Sequence, residues 1–177
     1  MVKRHEVLAV IPARGGSKGI PRKNIKDFAG FPLMAYSIAA AKQSNLVTRV
    51  IASTDDEEIA EIARQWGAET PFLRPEEFAR DNPLDLPVMQ HCLAWLKENE
   101  DYQPDMVVWL RPTSPIRPRR CLDDAIQTLL DHPEADSIRG VIPAAQNPFK
   151  MWTLDSRSGE LLPLLKVEGI REPYNAP

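Results

Sequence analysis

The chain has 177 residues, 43% hydrophobic and 27% charged, with a formal net charge of -3. That is enough apolar material for one globular domain with a real core, and it excludes both a disordered chain and a bilayer-spanning segment. The mild acidity also argues against a broad nucleic-acid-binding face, so no nucleic-acid or membrane partner is expected and any local cluster of cations stands out.

The first predicted element is the apolar run Val7-Leu-Ala-Val-Ile11, which reads as a buried parallel strand. Five apolar residues before Pro12 are too few for a signal-peptide core, so Met1-Val-Lys-Arg-His-Glu6 is expected to carry no export signal. The strand runs into Ile11-Pro-Ala-Arg-Gly-Gly-Ser-Lys-Gly-Ile-Pro-Arg-Lys-Asn24. Here Gly15, Gly16 and Gly19 are expected to let the backbone turn tightly and bring its N–H groups against anionic oxygens. Arg14, Lys18, Arg22 and Lys23 supply countercharge. Gly19 is followed by Ile20 and Pro21, so the run is not a Walker A motif, and it is not G-x-G-x-x-G either. A P-loop NTPase and a dinucleotide site are both disfavoured. The loop predicts a polyphosphate site at a strand end, with a bare basic turn as the alternative.

An apolar helix is expected from about Pro32, then a strand over Thr48-Arg-Val-Ile-Ala-Ser53. Ile59, Ile62, Ala63 and Trp66 recur at helical spacing behind a possible capping box, Thr54-x-x-Glu57. Val88, Met89, Cys92, Trp95 and Leu96 mark the next helix, Asp105-Met-Val-Val-Trp-Leu110 the next strand, and Leu122, Ala125, Ile126, Leu129 and Leu130 a further helix. Ala135-Asp-Ser-Ile-Arg-Gly-Val-Ile142 reads as a weaker strand. This alternation predicts an α/β fold with a doubly wound, mostly parallel sheet, whose ligands gather at the carboxyl ends of the strands.

That rule brings three segments to one place: the glycine-rich loop, Ser53-Thr-Asp-Asp56, and Arg111-Pro-Thr-Ser-Pro-Ile-Arg117. Ser53 to Asp56 reads first as a helix start, with a site role as the alternative. The third segment, stiffened by prolines and carrying two hydroxyls and two guanidiniums, reads as a binding segment. Cys92 and Cys121 lack C-x-x-C spacing and read as reduced packing residues, which suggests a cytoplasmic location. His5, His91 and His132 are scattered, and Glu57, Glu58 and Glu61 read as a solvated helix face. No metal cluster is visible in the spacing.

Together, the loop from Ile11 to Asn24, the Ser-Thr-Asp-Asp tetrad, Arg74-Pro-Glu-Glu-Phe-Ala-Arg-Asp81, the Pro-Thr-Ser-Pro-x-Arg segment and Asn147-Pro-Phe-Lys-Met-Trp152 resemble the acylneuraminate cytidylyltransferases, in that family's order and over essentially all 177 residues. The resemblance implies a Rossmann-like nucleotidyltransferase in which the anomeric hydroxyl of a nonulosonic 2-keto sugar acid attacks the α-phosphate of CTP and releases pyrophosphate. It implies catalytic roles for Arg14, Lys18 and Lys23. Nucleotide contacts are implied for Ala13, Gly15, Gly16, Ser17, Asn24, Arg74, Asp81, Arg111, Pro112, Thr113 and Ser114. It further implies Mg2+ with the triphosphate, a homodimer, a CTP-binding core over 1–142, and the beginning of a dimerisation and sugar-binding region over 143–177. The Asp155-Ser-Arg-Ser-Gly159 stretch within that region reads equally as a hairpin turn.

The chain departs from the family pattern in three ways. Arg111 stands where the family commonly has Gln, and Asn82-Pro-Leu-Asp-Leu-Pro87 replaces a run rich in serine and threonine that approaches the base, which Asp81 and Asp85 are the residues expected to reach in its place. The chain also stops short of the family's next segment, which carries a catalytic arginine and the magnesium aspartates, so it is expected to be truncated relative to the family. A CMP-Kdo-type or other sugar nucleotidyltransferase is the nearest enzyme alternative. A non-catalytic CTP-binding or regulatory protein is the alternative of another class. A receiver-like domain would use Asp55 and Asp56 but leaves the glycine-rich loop unexplained.

Overall fold

Strand β1, Val7–Pro12, lies at the centre of a parallel sheet, with β4, Arg49–Ser53, on one side and β5, Met106–Trp109, on the other. The structure, a computed structural model, describes residues 5–79, 85–143, 148 and 151–165. These belong to two compact units that divide between Ile138 and Arg139.

In the first unit, Val7 to Ile11 are all essentially inaccessible to solvent, which is why this strand reads as a continuous apolar run rather than an alternating one. The two faces of the sheet are covered by different helices. Ala9, Ile11, Val50 and Ala52 pack with Met34, Ile38 and Ala41 of α1, Leu33–Gln43, and with Ile59 and Ala63 of α2, Glu57–Gln65. Leu8, Val10 and Ile51 pack on the other face with Cys92 and Leu96 of α3, Asp85–Glu100, and with Phe72. Leu122 of α4, Cys121–Asp131, joins the first cluster. Helices on both faces of a parallel sheet make this the doubly wound α/β fold the sequence predicts.

Burial pushes the Cys92 thiol up to about 12, so it stays protonated and packs as a small apolar group. A two-stranded hairpin, β2, Asp27–Phe28, and β3, Phe31–Pro32, precedes α1. Its turn residues Ala29 (φ 51°) and Gly30 (φ 92°) both have positive φ, as a tight hairpin with right-handed strand twist requires.

Two expectations are corrected here. Residues 135–142 form no strand; Ile138, Val141 and Ile142 are exposed, and no strand among the described residues pairs with them. The α2 cap is Asp56, whose side chain accepts from the Ile59 N–H at 3.0 Å, rather than a Thr54/Glu57 box. Thr54 Oγ1 instead accepts from the Asp56 N–H at 3.2 Å.

The second unit contains a hairpin of β6, Trp152–Leu154, and β7, Leu161–Pro163. Its turn is the one read from Asp155 to Gly159: the Asp155 carboxylate accepts from the Arg157 and Ser158 N–H groups at 2.7 and 3.0 Å, and Gly159 supplies the positive φ. Leu154 and Leu161 are 65% and 62% exposed.

Candidate functional site

The parallel register aligns the carboxyl ends of the three strands. Pro12 is opposite Ser53, and Val10 is opposite Trp109. The Ala13 N–H continues the ladder to Ser53 O at 2.9 Å, and the Leu110 N–H donates to Val10 O at 2.9 Å. The segments that follow, starting at Ala13, Thr54 and Leu110, therefore leave the sheet along one edge, as the switch-point rule anticipates.

A cavity of about 310 Å³ opens there, lined by Pro12, Arg14, Ser17, Lys23, Asn24, Arg74, Asp85, Val88, Trp109, Arg111, Pro112 and Thr113. Four guanidinium or ammonium groups from three segments thus meet at one cavity, of the size that holds a small ligand.

The glycine-rich loop is held from below. Asn24, 4% exposed, donates from Nδ2 to Arg14 O at 2.9 Å. Asp55 Oδ1 accepts from the Gly15 N–H at 2.9 Å. Ser17 N–H donates back to Gly15 O at 2.9 Å. Arg14 Nη1 reaches Ala79 O at 3.4 Å. The left-handed residue of this loop is not a glycine but Arg22, at φ 55°, just before the short 3-10 turn Lys23–Ile25.

Gly15 is required for a different reason: a Cβ there would stand 2.8 Å from Asp56 Oδ2. Around Gly16 and Gly19 nothing lies within 4 Å of such a Cβ, leaving backbone that a ligand can approach.

Arg22 departs from its expected role as a phosphate cation. Its guanidinium pairs with Asp56 and with Glu58, its Nη2 reaching Asp56 Oδ1 at 3.1 Å. The hydrogen bond from Arg22 holds the Asp56 carboxyl below the usual carboxylate range. The Ser53–Asp56 tetrad therefore both starts α2 and braces the loop, through Asp56 and Asp55 respectively.

Arg74, 5% exposed, is anchored at the end of β4: Nε donates to Ser53 Oγ at 3.1 Å, Nη2 to Ser53 O, and its own N–H to Thr54 O at 2.7 Å. Burial pulls its guanidinium down to about 10, which leaves it charged at neutral pH. Arg111, after β5, pairs with Asp85 at the start of α3. Arg117 braces that segment, donating to Ser37 Oγ at 3.1 Å and to Arg111 O at 2.9 Å.

Of the remaining anticipated residues, Lys18 is exposed, and it, Gly15 and Gly16 lie along the loop but outside the cavity lining. Ala13 is fully buried in the core, and Ser114 turns back through its N–H to Arg111 O at 3.3 Å. Asp81 lies outside the described residues. Val88 and Trp109 line the cavity without having been singled out for it, because the core packing of their elements explains them equally well.

Among the described residues, no group of three or more His, Cys, Asp or Glu side chains could hold a metal ion. Among the described residues, the carboxylate lining the cavity, Asp85, is engaged by Arg111, and Asp55 receives the Gly15 N–H. The described residues therefore do not supply a magnesium cage of their own. No helix among them is long and apolar enough to cross a membrane.

A family model described as cytidylyltransferase matches residues 8–154. The chain is 41% identical over 126 residues to the pseudaminic acid cytidylyltransferase of Campylobacter jejuni, an alignment covering 71% of this chain and 53% of that protein. It is 36% identical over 159 residues to the CMP-N,N'-diacetyllegionaminic acid synthase of Legionella pneumophila, covering 90% and 67% of the two. The chain thus spans about half to two thirds of the length of these curated relatives. Its fold is similar to that of the solved CMP:2-keto-3-deoxy-manno-octonic acid synthetase complexed with CTP. The TM-score is 0.61 at 22% identity, over 72% of this chain and 48% of that one. With the family model matched over most of this chain and relatives 36–41% identical to it, the chain belongs to the cytidylyltransferase family, in its acylneuraminate group.

Proposed function

We propose that the protein transfers the cytidylyl group of CTP to a nonulosonic 2-keto sugar acid. The observation that carries this reading is the meeting of Arg14, Lys23, Arg74 and Arg111 at one cavity beside a loop whose backbone is open at Gly16 and Gly19. In the proposed step the anomeric hydroxyl oxygen bonds to the α-phosphorus, the bond from that phosphorus to the β-phosphate oxygen breaks, and the hydroxyl proton is released. Charge grows on the departing pyrophosphate, and Arg14 and Lys23, with Lys18 on the same loop, are proposed to stabilise it. Magnesium is proposed to accompany the triphosphate, where it would offset part of the phosphate charge.

The acceptor class follows from the relatives, which act on pseudaminic and legionaminic acids by name. Asn24 and Arg74 are proposed to lie against the nucleotide, together with Gly15, Gly16 and Ser17; Ala13, fully buried, supports the loop from the core instead. The segment from Arg111 to Ser114 is proposed to border the acceptor. The exposed apolar hairpin, with Trp152, Leu154, Leu161 and Leu162 uncovered, suits a homodimer contact, and a cytoplasmic setting is the one that supplies CTP. Pyrophosphate release from CTP, magnesium and a panel of nine-carbon 2-keto acids tests the reading. Turnover with one acid supports it; CTP binding without turnover on any acid would make this chain a nucleotide-binding piece rather than an enzyme by itself.

A further inference from the structure

Arg111 and Asp85 come from different elements and both line the cavity, where the Arg111 guanidinium donates to the Asp85 carboxylate. Their side chains are 58% and 42% exposed. An ion pair this open to water contributes little to the stability of a fold. Holding the 111–117 segment in place is the task of Arg117, through Ser37 and the Arg111 carbonyl. The guanidinium of Arg111 is thus left with a carboxylate that the fold does not need it to hold.

The cations of the cavity are also distributed by strand. Arg74 stands on the β4 side, Arg14 and Lys23 follow the central strand, and Arg111 follows β5. A triphosphate on the central loop leaves Arg111 one strand away, toward the edge. A planar guanidinium fork is matched to a carboxylate, and the acceptor of the proposed reaction is a carboxylic acid.

We infer that Arg111 recognises the carboxylate of the acceptor, and that Asp85 is an internal stand-in which occupies Arg111 until the acceptor displaces it. The inference rests on the reading of this cavity as the site of cytidylyl transfer to a sugar acid. Exchanging one carboxylate for another on the same fork conserves the charge-assisted contacts. The displaced Asp85 keeps a favourable position in the first turn of α3, where the helix dipole welcomes an anion. A neutral derivative of the acid lacks the charge needed to displace it.

The test is calorimetric titration of the full chain, saturated with CTP, using N-acetylneuraminic, pseudaminic and legionaminic acids and their methyl esters. The free acid that binds is expected to bind about tenfold or more tightly than its ester, the loss of one charge-assisted contact. Arg111→Gln should remove that preference and weaken the acid by a similar factor, with a smaller change in CTP affinity. Asp85→Asn should tighten the acid several-fold, and should do nothing further in the Arg111→Gln background.

Retention of the preference in Arg111→Gln, weaker acid binding in Asp85→Asn, or no acid bound to the CTP-loaded chain would overturn the inference. An Arg111→Gln effect on CTP as large as that on the acid would also overturn it, by assigning Arg111 to phosphate. Failure of the unaltered chain to bind CTP at all would instead overturn the proposed function beneath it.

Discussion

Gly15 lies so close to Asp56 that a Cβ at position 15 would stand 2.8 Å from Asp56 Oδ2 and 3.1 Å from its Cβ. Asp56 has little room to give way, because its carboxylate caps α2 through the Ile59 N–H and is gripped by Arg22. The glycine-rich loop and the start of the second helix are therefore one mechanical unit.

Substituting alanine at two neighbouring glycines should separate packing from ligand approach. Gly15→Ala is predicted to destabilise the fold by about 1–3 kcal/mol, the range for overpacking a tight contact, read as a lower thermal midpoint. Gly16→Ala, with nothing within 4 Å of the new Cβ, should leave the midpoint unchanged and weaken CTP. Full CTP affinity in a well-folded Gly16→Ala protein would remove the proposed backbone contact at that position.

Asn24 makes a second connection testable. Asn24→Ala strips the Arg14 carbonyl of its buried donor and is predicted to cost about 1–3 kcal/mol in denaturant unfolding. CTP affinity should fall with it, since the loop that presents Arg14 is no longer pinned. Unchanged stability would mean that Asn24 does not brace the loop.

The two arginines of the loop should behave differently. Arg22 is committed to Asp56 and Glu58, whereas Arg14 lines the cavity. Arg14→Ala is expected to weaken CTP about tenfold or more, as for one charge-assisted phosphate contact, and Arg22→Ala to weaken it by a clearly smaller factor. Equal losses would place Arg22 at the phosphates after all.

His91 predicts a pH dependence. It packs edge-on against Phe72, with ring centroids 5.0 Å apart, and tilted against Phe78 at the same distance, while its buried Nδ1 has no hydrogen-bond partner among the described residues. Burial, with the nearby Arg74 charge, lowers its pKa below the usual 6.5. The unfolded chain therefore takes up the proton first, so this contribution to stability is present above pH 6.5 and is lost as the pH falls through the lower folded value. His91→Phe should flatten that part of the stability curve between neutral pH and pH 5, and a slope identical to the parent would assign it elsewhere.

The alternation of apolar runs and helical spacing carried the sheet and its helices, because β1 and most of β4 are buried enough that their residues have little choice of type, and the half-buried β5 is a short apolar run of the same kind. The gathering of Arg14, Lys23, Asn24 and Arg111 was legible for the related reason that the carboxyl ends of parallel strands share an edge, whereas Arg74 was singled out only by the family resemblance. What escaped the sequence was pairing between distant side chains. Nothing in the spacing of Arg22 and Asp56, or of Arg117 and Ser37, says which cation braces and which faces a ligand. The predicted strand over 135–142 failed because a strand exists only with a neighbour to pair with, and among the described residues the exposed Val141 and Ile142 have none. Glycine spacing likewise concealed that crowding, at Gly15, rather than a left-handed backbone, sets one of these positions.

Calorimetric titration of CTP into the unaltered chain and into Lys23→Ala, each checked for an unchanged thermal midpoint, tests the central claim most directly. The predicted result is CTP binding that Lys23→Ala weakens about tenfold or more. Equal affinity in the two proteins would contradict the assignment of this loop to the triphosphate.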